Sequence, residues 1–539
     1  MLKQGIGRPV YSGVSIGRIY LYKPNTCDLT RPAEDPKAEL EAFHQAKVTA
    51  AEQIAELYEK TLREIGEEQA QIIEIQGMMM DDADYVEAVE DMIQNGSSAA
   101  SAVHETGDAF AAAFAAMDDE YMQARSTDVR DISERLVRIL CGGSSVFHME
   151  DPGILVADDL TPSETVQLDK EKVLAFVTRQ GSSSSHTAIL ARILNIPSLV
   201  QADIVLDDDI DGRMMAVDGF TGEYYIDPDE ETLTRMEDKQ HRVEEYRQLL
   251  EGYRGKPSVT AAGRKIKLFA NIGSPDDVQR VIDGDGEGIG LLRSEFLYLG
   301  REDYPTEQEL YEAYRKVVEA MDGKTTVIRT LDIGADKKVD YFGLEEEENP
   351  ALGYRGIRIC LTREEVFRPQ MRAIYRAAAH GPISVMFPMI ISEAEVLRIR
   401  AFCEKIKEEL KEEGIPYGET ELGIMIETPA AAIISDRLAK LVDFFSVGTN
   451  DLTQYTLAID RQNAKLDSFY DAHHPAVLAL LEMVARNAHA NGIWAGICGE
   501  LAGDLELTDT FLKMGFDELS VSPSRILELR KKVCESQVG

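Results

Sequence analysis

The sequence predicts a multidomain α/β protein: a small α/β domain with an inserted helical domain, a linker helix and a C-terminal (β/α)8 barrel. Three observations carry this reading. A chain of 539 residues is too long for one core, and ordinary domain sizes imply about three or four folding units. From about Pro32 to Leu140 the composition shifts to Ala, Glu, Gln and Met at helical spacing, with almost no Pro or Gly, interrupting a strand-rich beginning. After Lys256, eight strand-like runs alternate with helical segments, the repeat of a (β/α)8 barrel.

Taken in order, GVSIGRIYLY alternates and carries β-branched and aromatic residues before a turn at Pro24 and Asn25; it reads as a strand or two that need a sheet to join. The helical insertion follows, exemplified by ELEAFHQAKVTAAEQIAELYEKTLREI and DVRDISERLVRIL. Between Gly153 and Pro228, the strands ILVADD, KVLAFVT and GEYYIDP alternate with helical segments and Gly turns, giving a small α/β domain completed by the N-terminal strand. Leu233, Met236, Val243, Tyr246 and Leu250 share one helical face, which predicts a long connecting helix. The expected boundaries are 1–31 with 145–228 for the α/β domain, 32–144 for the helical insertion, 229–257 for the linker and 258–539 for the barrel. The barrel strands are IKLFA, GIGLL, TTVIR, ISVMF, LGIMI, DFFSV, IWAGI and ELSVS. The gap from Arg329 to Ile383 exceeds a simple crossover and contains ENPALGYRGIR, so an excursion over the barrel mouth is expected there.

A net charge of -39, from 96 acidic against 57 basic residues, excludes sequence-independent nucleic-acid binding, which needs Lys and Arg to neutralise phosphates. A basic protein partner suits that charge, and solubility alone also accounts for it. Cys27, Cys141, Cys360, Cys403, Cys498 and Cys534 form no C-x-x-C pair, so neither a zinc site nor a disulfide framework is indicated and a cytoplasmic location fits. No apolar run reaches about 18 residues, and MLKQGIGRPVYSG lacks the apolar core of a signal peptide. Neither export nor membrane insertion is expected.

Polar residues stand immediately after predicted barrel strands: Arg293, Arg329, Glu427, Asn450 with Asp451, and Cys498. In a barrel that edge is the catalytic mouth. Any one of them could merely cap a strand, but their convergence on one face argues for a site. Arg293, Arg329, Arg355 and Arg461 offer planar forks for phosphate and carboxylate oxygens, which specifies a small, highly anionic substrate. Glu427 and Asp451 supply hard oxygen ligands of the kind that hold Mg2+, with a structural salt bridge as the alternative. Cys498 sits where a thiol could exchange a proton with a substrate carbon, although an inert buried cysteine is the commoner case.

In RQGSSSSHTAILARILNIPSLV, a Gly-Ser loop ends at His186 and a short amphipathic helix follows. Free backbone N–H groups at a helix N-terminus favour an anion, so His186 is a candidate phosphoryl acceptor. His473, His474 and His241 lack such a setting.

These residues resemble enzyme I of the phosphoenolpyruvate-dependent sugar phosphotransferase system, over essentially the whole chain. The likeness runs through GVSIGRIY, DVRDISERL, DDLTPSETVQL, SHTAILAR, GIGLLRSEFLY, RTLDIGADK, NPALGYRGIR, GIMIETPAA, FFSVGTNDLTQY and GICGELAGD. The resemblance implies that His186 is phosphorylated and that Arg293, Arg329, Lys337, Arg355, Asn450 and Arg461 bind phosphoenolpyruvate (PEP). It further implies that Glu427 and Asp451 bind Mg2+, that Cys498 protonates the enolate to give pyruvate, and that Thr165 orients the imidazole. The helical insertion would dock the phosphocarrier protein HPr, the barrel would form a homodimer, and the segment from Asp229 to Arg254 would be the swivel between donor and acceptor.

One departure stands out. The family usually has Gly-Gly-Arg-Thr-Ser before the active histidine, whereas this chain has Gly181, Ser182, Ser183, Ser184 and Ser185. The missing arginine removes a positive charge beside the phosphohistidine, so a changed rate or stability of that species is expected. Two rivals frame the reading. A dikinase-type enzyme would need an ATP-binding domain with a phosphate-cradling Gly-rich loop, which does not precede the histidine here. A regulatory binding protein would need His186 to have lost its reactivity.

Overall fold

The computed structural model describes residues 3–22, 29, 33, 35–64, 73, 77–116, 120–142, 149, 151–160, 168–169, 172–181, 188, 191–192, 196–335, 337, 339–466 and 468–539. The chain divides into two compact units, Met1–Arg247 and Gln248–Gly539. The division falls inside the helix Glu230–Glu251.

The first unit holds a mixed sheet and a helical insertion. Its strands are β1 (Lys3–Ile6), β2 (Arg8–Tyr11), β3 (Val14–Leu21), β4 (Gly153–Ala157), β5 (Val173–Thr178), β6 (Ser198–Val200), β7 (Met214–Asp218) and β8 (Glu223–Ile226), in the order β1-β8-β7-β3-β4-β5-β6-β2. β3 pairs in parallel with β4 and antiparallel with β7, so the N-terminal segment lies mid-sheet. GVSIGRIYLY forms the one strand β3, within the strand or two expected, and β1 and β2 precede it as short edge strands whose polar residues hide them in the sequence. Gly7 alone separates them, and its N–H donates to Gly222 O at 2.8 Å, so the two edges of the sheet curl towards one another. Period-two alternation sends Ile154 and Val156 to one core and Leu155 and Ala157 to another.

Between β3 and β4 lie the helices Pro36–Glu64, Ala83–Gln94, Ala99–Ala115 and Glu120–Leu140. Their apolar stripes meet in a separate core that includes Phe43, Ile54, Val89, Val103, Ile132 and Leu136. Asp82 caps the second helix by accepting from Asp84 N at 3.0 Å and Tyr85 N at 3.1 Å, and buried Tyr85 shares a 2.7 Å hydrogen bond with Ser133. Cys141, at the end of this insertion, is disulfide-bonded, a pairing that linear cysteine spacing did not indicate. Cys360, Cys403 and Cys498 are buried thiols.

In the second unit, eight parallel strands close into a barrel: β9 (Lys267–Ile272), β10 (Ile289–Arg293), β11 (Thr326–Arg329), β12 (Ile383–Phe387), β13 (Glu421–Ile426), β14 (Phe444–Val447), β15 (Trp494–Ile497) and β16 (Glu518–Val521). Each falls on one of the predicted runs. Outward residues such as Leu268 and Ile328 pack against helix residues such as Leu310, Tyr314 and Val317. Leu291, Val327, Met386, Met425, Phe444 and Cys498 fill the interior, where Phe444 stacks on Trp494 with ring centroids 4.4 Å apart. Capping boxes at Thr306 with Glu309 and at Ser392 with Glu395 start two of the outer helices.

Candidate active site

Strand direction alone sends the polar residues to one rim. Arg293 and Arg329 end β10 and β11, Glu427 follows β13, and Cys498 follows β15. Asn450 and Asp451 open the helix Thr449–Leu457 behind β14. The segment between β11 and β12 returns Arg355 to this rim. One cavity of about 440 Å3 is lined by Arg293, Arg329, Lys337, Arg355, Glu427, Asn450, Asp451, Arg461 and Cys498. Every barrel residue singled out from the sequence therefore reaches the same space. A second cavity of about 900 Å3 shares Arg293, Asn450 and Cys498 with it. His186 and Thr165 lie outside the described residues.

The cationic wall is held by an aspartate that sequence reasoning passed over. Asp332 Oδ2 lies 2.9 Å from Arg329 Nη1, and Arg355 Nη2 donates to both Asp332 oxygens at 3.0 Å. Arg329 also pairs with Glu295. Burial opposes the charge on Arg329, but Glu295, Asp332 and Glu427 outweigh it and hold its pKa above the ordinary value. Burial likewise opposes the Asp332 carboxylate, and Arg329 and Arg355 overcome it, so its pKa is lowered. Gly356 makes the approach possible: its φ is +57°, and a Cβ there would stand 3.0 Å from Asp332 Oδ1. The signal for Asp332 was present in RTLDIGADK as an acid three residues beyond a strand-ending arginine. Glu295, two residues after Arg293, was legible in the same way.

Across the cavity, Glu427 Oε1 accepts from Met389 N at 2.6 Å, while Oε2 is buried with no hydrogen-bond partner among the described residues. Burial, with repulsion from Asp332 and Asp451, raises the Glu427 pKa to about 8. Asp451 Oδ1 lies 3.2 Å from Arg461 Nη2. An orphaned carboxylate oxygen beside a second carboxylate fits a divalent cation that completes its shell with substrate and water. No group of three or more His, Cys, Asp or Glu side chains among the described residues is arranged to hold a metal by itself, so those outer ligands would be needed. Asn450 is fixed by reciprocal bonds with Glu500, its Nδ2 donating to Oε1 at 3.1 Å and its Oδ1 accepting from Glu500 N at 3.0 Å.

Burial pushes the Cys498 thiol up to about 12, with Ser446 pulling the other way. At neutral pH this sulfur keeps its proton, which suits an acid rather than a nucleophile. Guanidinium forks, a carboxylate pair and a protonated thiol around one cavity can bind a phosphorylated carboxylate and deliver a proton to its carbon.

The family model "PEP-utilising enzyme, PEP-binding domain" matches residues 247–538. "PEP-utilising enzyme, N-terminal" matches residues 6–125, and "PEP-utilising enzyme, mobile domain" matches residues 149–222. The phosphoenolpyruvate-protein phosphotransferase of Staphylococcus carnosus is 40% identical over 538 residues, 99% of this chain and 94% of its own. That of Staphylococcus aureus strain MRSA252 is 40% identical over 97% of this chain and 92% of its own, and that of Priestia megaterium is 39% identical over 99% and 94%. With identity sustained from end to end, and with the cavity built on the segment that the PEP-binding model covers, the chain belongs to the phosphoenolpyruvate-protein phosphotransferase family.

Proposed function

We propose that this protein transfers the phosphoryl group of PEP to its own His186 and then to the histidine of HPr, releasing pyruvate, as the first step of sugar uptake by the phosphotransferase system. The observation that carries the reading is the single cavity holding the Arg329–Asp332–Arg355 bridge, the Glu427 and Asp451 carboxylates and the protonated Cys498 thiol. Arg293, Arg329, Lys337, Arg355, Asn450 and Arg461 bind the phosphate and carboxylate of PEP. Because Asp332 and Glu295 fix the guanidinium of Arg329 before substrate arrives, little reorientation is left for the reaction itself. Glu427 and Asp451 would hold Mg2+, which when bound neutralises charge on the phosphate and enolate oxygens.

His186 must come in line with the phosphorus at the barrel mouth, and its departure leaves the enolate of pyruvate. Cys498 then gives its proton to the methylene carbon of that enolate. The helical insertion is the docking surface for HPr, a role that the acidity of the chain supports by steering a basic partner. Leu352, Ile433 and Phe469 are exposed apolar side chains on the barrel unit, which supports association of two copies through it. No helix among the described residues is long and apolar enough to cross a membrane, and the reading is of a cytoplasmic enzyme.

The test is a purified mixture of the chain, PEP, Mg2+ and HPr. Pyruvate and phosphorylated HPr should appear in equal amounts, and Arg329→Ala should abolish both; pyruvate without phosphorylated HPr would refute the transfer.

A further inference from the structure

One buried acid in the barrel is unused by this chemistry. Glu518 on β16 is 1% exposed and faces the interior, and its Oε1 has no hydrogen-bond partner among the described residues. Strand register puts it in a polar rung: Ser446 of β14 is level with Gly496 of β15, Gly496 with Glu518, and Glu518 with Lys267 of β9. In-register neighbours on parallel strands point the same way, so these positions form one row about 4.8 Å apart. Gly496 leaves a gap in that row, and Glu518 leans into it, since a Cβ on Gly496 would collide with Glu518 Oε2. The carboxyl thereby fills the place of a side chain at Gly496, the position next to Ser446 in the row. Cys498 stands two residues beyond Gly496 on the same inward face, where its thiol donates to Val447 O at 3.7 Å, and the buried Ser446 hydroxyl has no hydrogen-bond partner among the described residues. At the opposite end Lys267 is exposed to solvent, its Nζ 4.8 Å from the Trp494 ring centroid.

A buried thiol that gives up its proton becomes a buried thiolate and has to be reprotonated before the next turnover. We infer that Glu518 returns that proton through the Ser446 hydroxyl, with Lys267 marking the solvent end of the row. The inference rests on the reading of Cys498 as the enolate's proton donor. In the forward step the S–H bond breaks and a C–H bond forms on the substrate, leaving the thiolate. The Ser446 O–H then donates to sulfur while its oxygen takes the proton of the Glu518 carboxyl, restoring thiol and hydroxyl and leaving a carboxylate. Water at the Lys267 end reprotonates that carboxylate.

The charges around Glu518 suit the task. Burial raises its pKa to about 8, Lys267 lowers it and Asp517 raises it, so the acid is protonated near neutrality and able to release its proton. Glu518 is a positioning residue for proton supply, since it acts through Cys498 and does not line the substrate cavity.

The experiment compares one turnover with many. Pyruvate formation is followed with enzyme in excess over PEP, and again with PEP and HPr in excess, for the native chain, Glu518→Gln, Ser446→Ala and Cys498→Ala. In the single turnover the thiol starts protonated, so Glu518→Gln and Ser446→Ala should stay within about twofold of native. Their kcat should fall by at least tenfold, because each later cycle waits for a proton. An unchanged kcat would overturn the relay, as would a single-turnover rate that falls in proportion to kcat, which marks a structural role. Should Cys498→Ala form pyruvate at the native single-turnover rate, the proton-donor reading itself has failed; an impaired Cys498→Ala beside a native-like Glu518→Gln removes the relay alone.

Discussion

Asp332 is the residue on which the cationic wall depends. It is buried between Arg329 and Arg355, and removing one partner of such a network strands charge in a low-dielectric site, at roughly 3–5 kcal/mol. Asp332→Ala should destabilise the barrel unit by about that amount in denaturant unfolding and raise the KM for PEP at least tenfold; a change under about 1 kcal/mol would show that the bridge is not coupled to folding. Because the folded Asp332 pKa is lowered, its stabilisation is fully present above its unfolded value near pH 4 and is lost as pH falls through the folded value. Native stability should therefore decline more steeply below about pH 4 than that of Asp332→Asn, as urea midpoints across pH will report. Cys498 makes a different prediction: with its pKa near 12, iodoacetamide should leave it essentially unlabelled at pH 8 in the folded chain, and rapid labelling would refute the protonated thiol. The candidate residues at strand ends were legible because a parallel barrel fixes which end of each strand faces the mouth. Asp332 and Glu295 stand close beyond strand-ending arginines but were not singled out, since acids at such positions also solvate loops and the fold is what shows these two turning inward to hold arginines.

At the scale of elements, the segment between β11 and β12 decides whether the site is complete, because it alone brings Arg355 to Asp332. Its return is pinned at Gly356, whose φ of +57° with ψ of −128° is a conformation that glycine alone adopts readily. Gly356→Ala should cost about 1–3 kcal/mol from backbone strain and weaken PEP binding through the displaced Arg355; unchanged affinity by titration calorimetry would show that Arg355 is positioned by other contacts. The eight barrel strands were readable because parallel strands buried on both faces appear as short continuous apolar runs. β1 and β2 were not, since each has four residues at a sheet edge and too little apolar patterning to stand out. The disulfide-bonded state of Cys141 was equally hidden, since no C-x-x-C pair marks it in the sequence.

For the whole molecule, two compact units with separate cores predict two unfolding transitions in calorimetry, with the PEP site in only one. In a His186→Ala chain, PEP at about 100 times its Kd should stabilise the barrel transition by about 2.7 kcal/mol and leave the other unmoved. Equal shifts in both transitions would contradict a site confined to the barrel. The Gly-Ser loop before His186 adds a further expectation: Ser183→Arg restores the family's positive charge and should alter the rate or stability of the phosphohistidine, and identical phosphorylation kinetics would remove any importance from that departure. The most direct test of the central claim is the intact mass of the purified protein after mixing with PEP and Mg2+ in the absence of ATP, beside His186→Ala. One acid-labile phosphate in the native chain and none in the variant is the predicted result. A folded native chain that gains no phosphate would contradict it, and the protein would then be a regulatory binding member of its family.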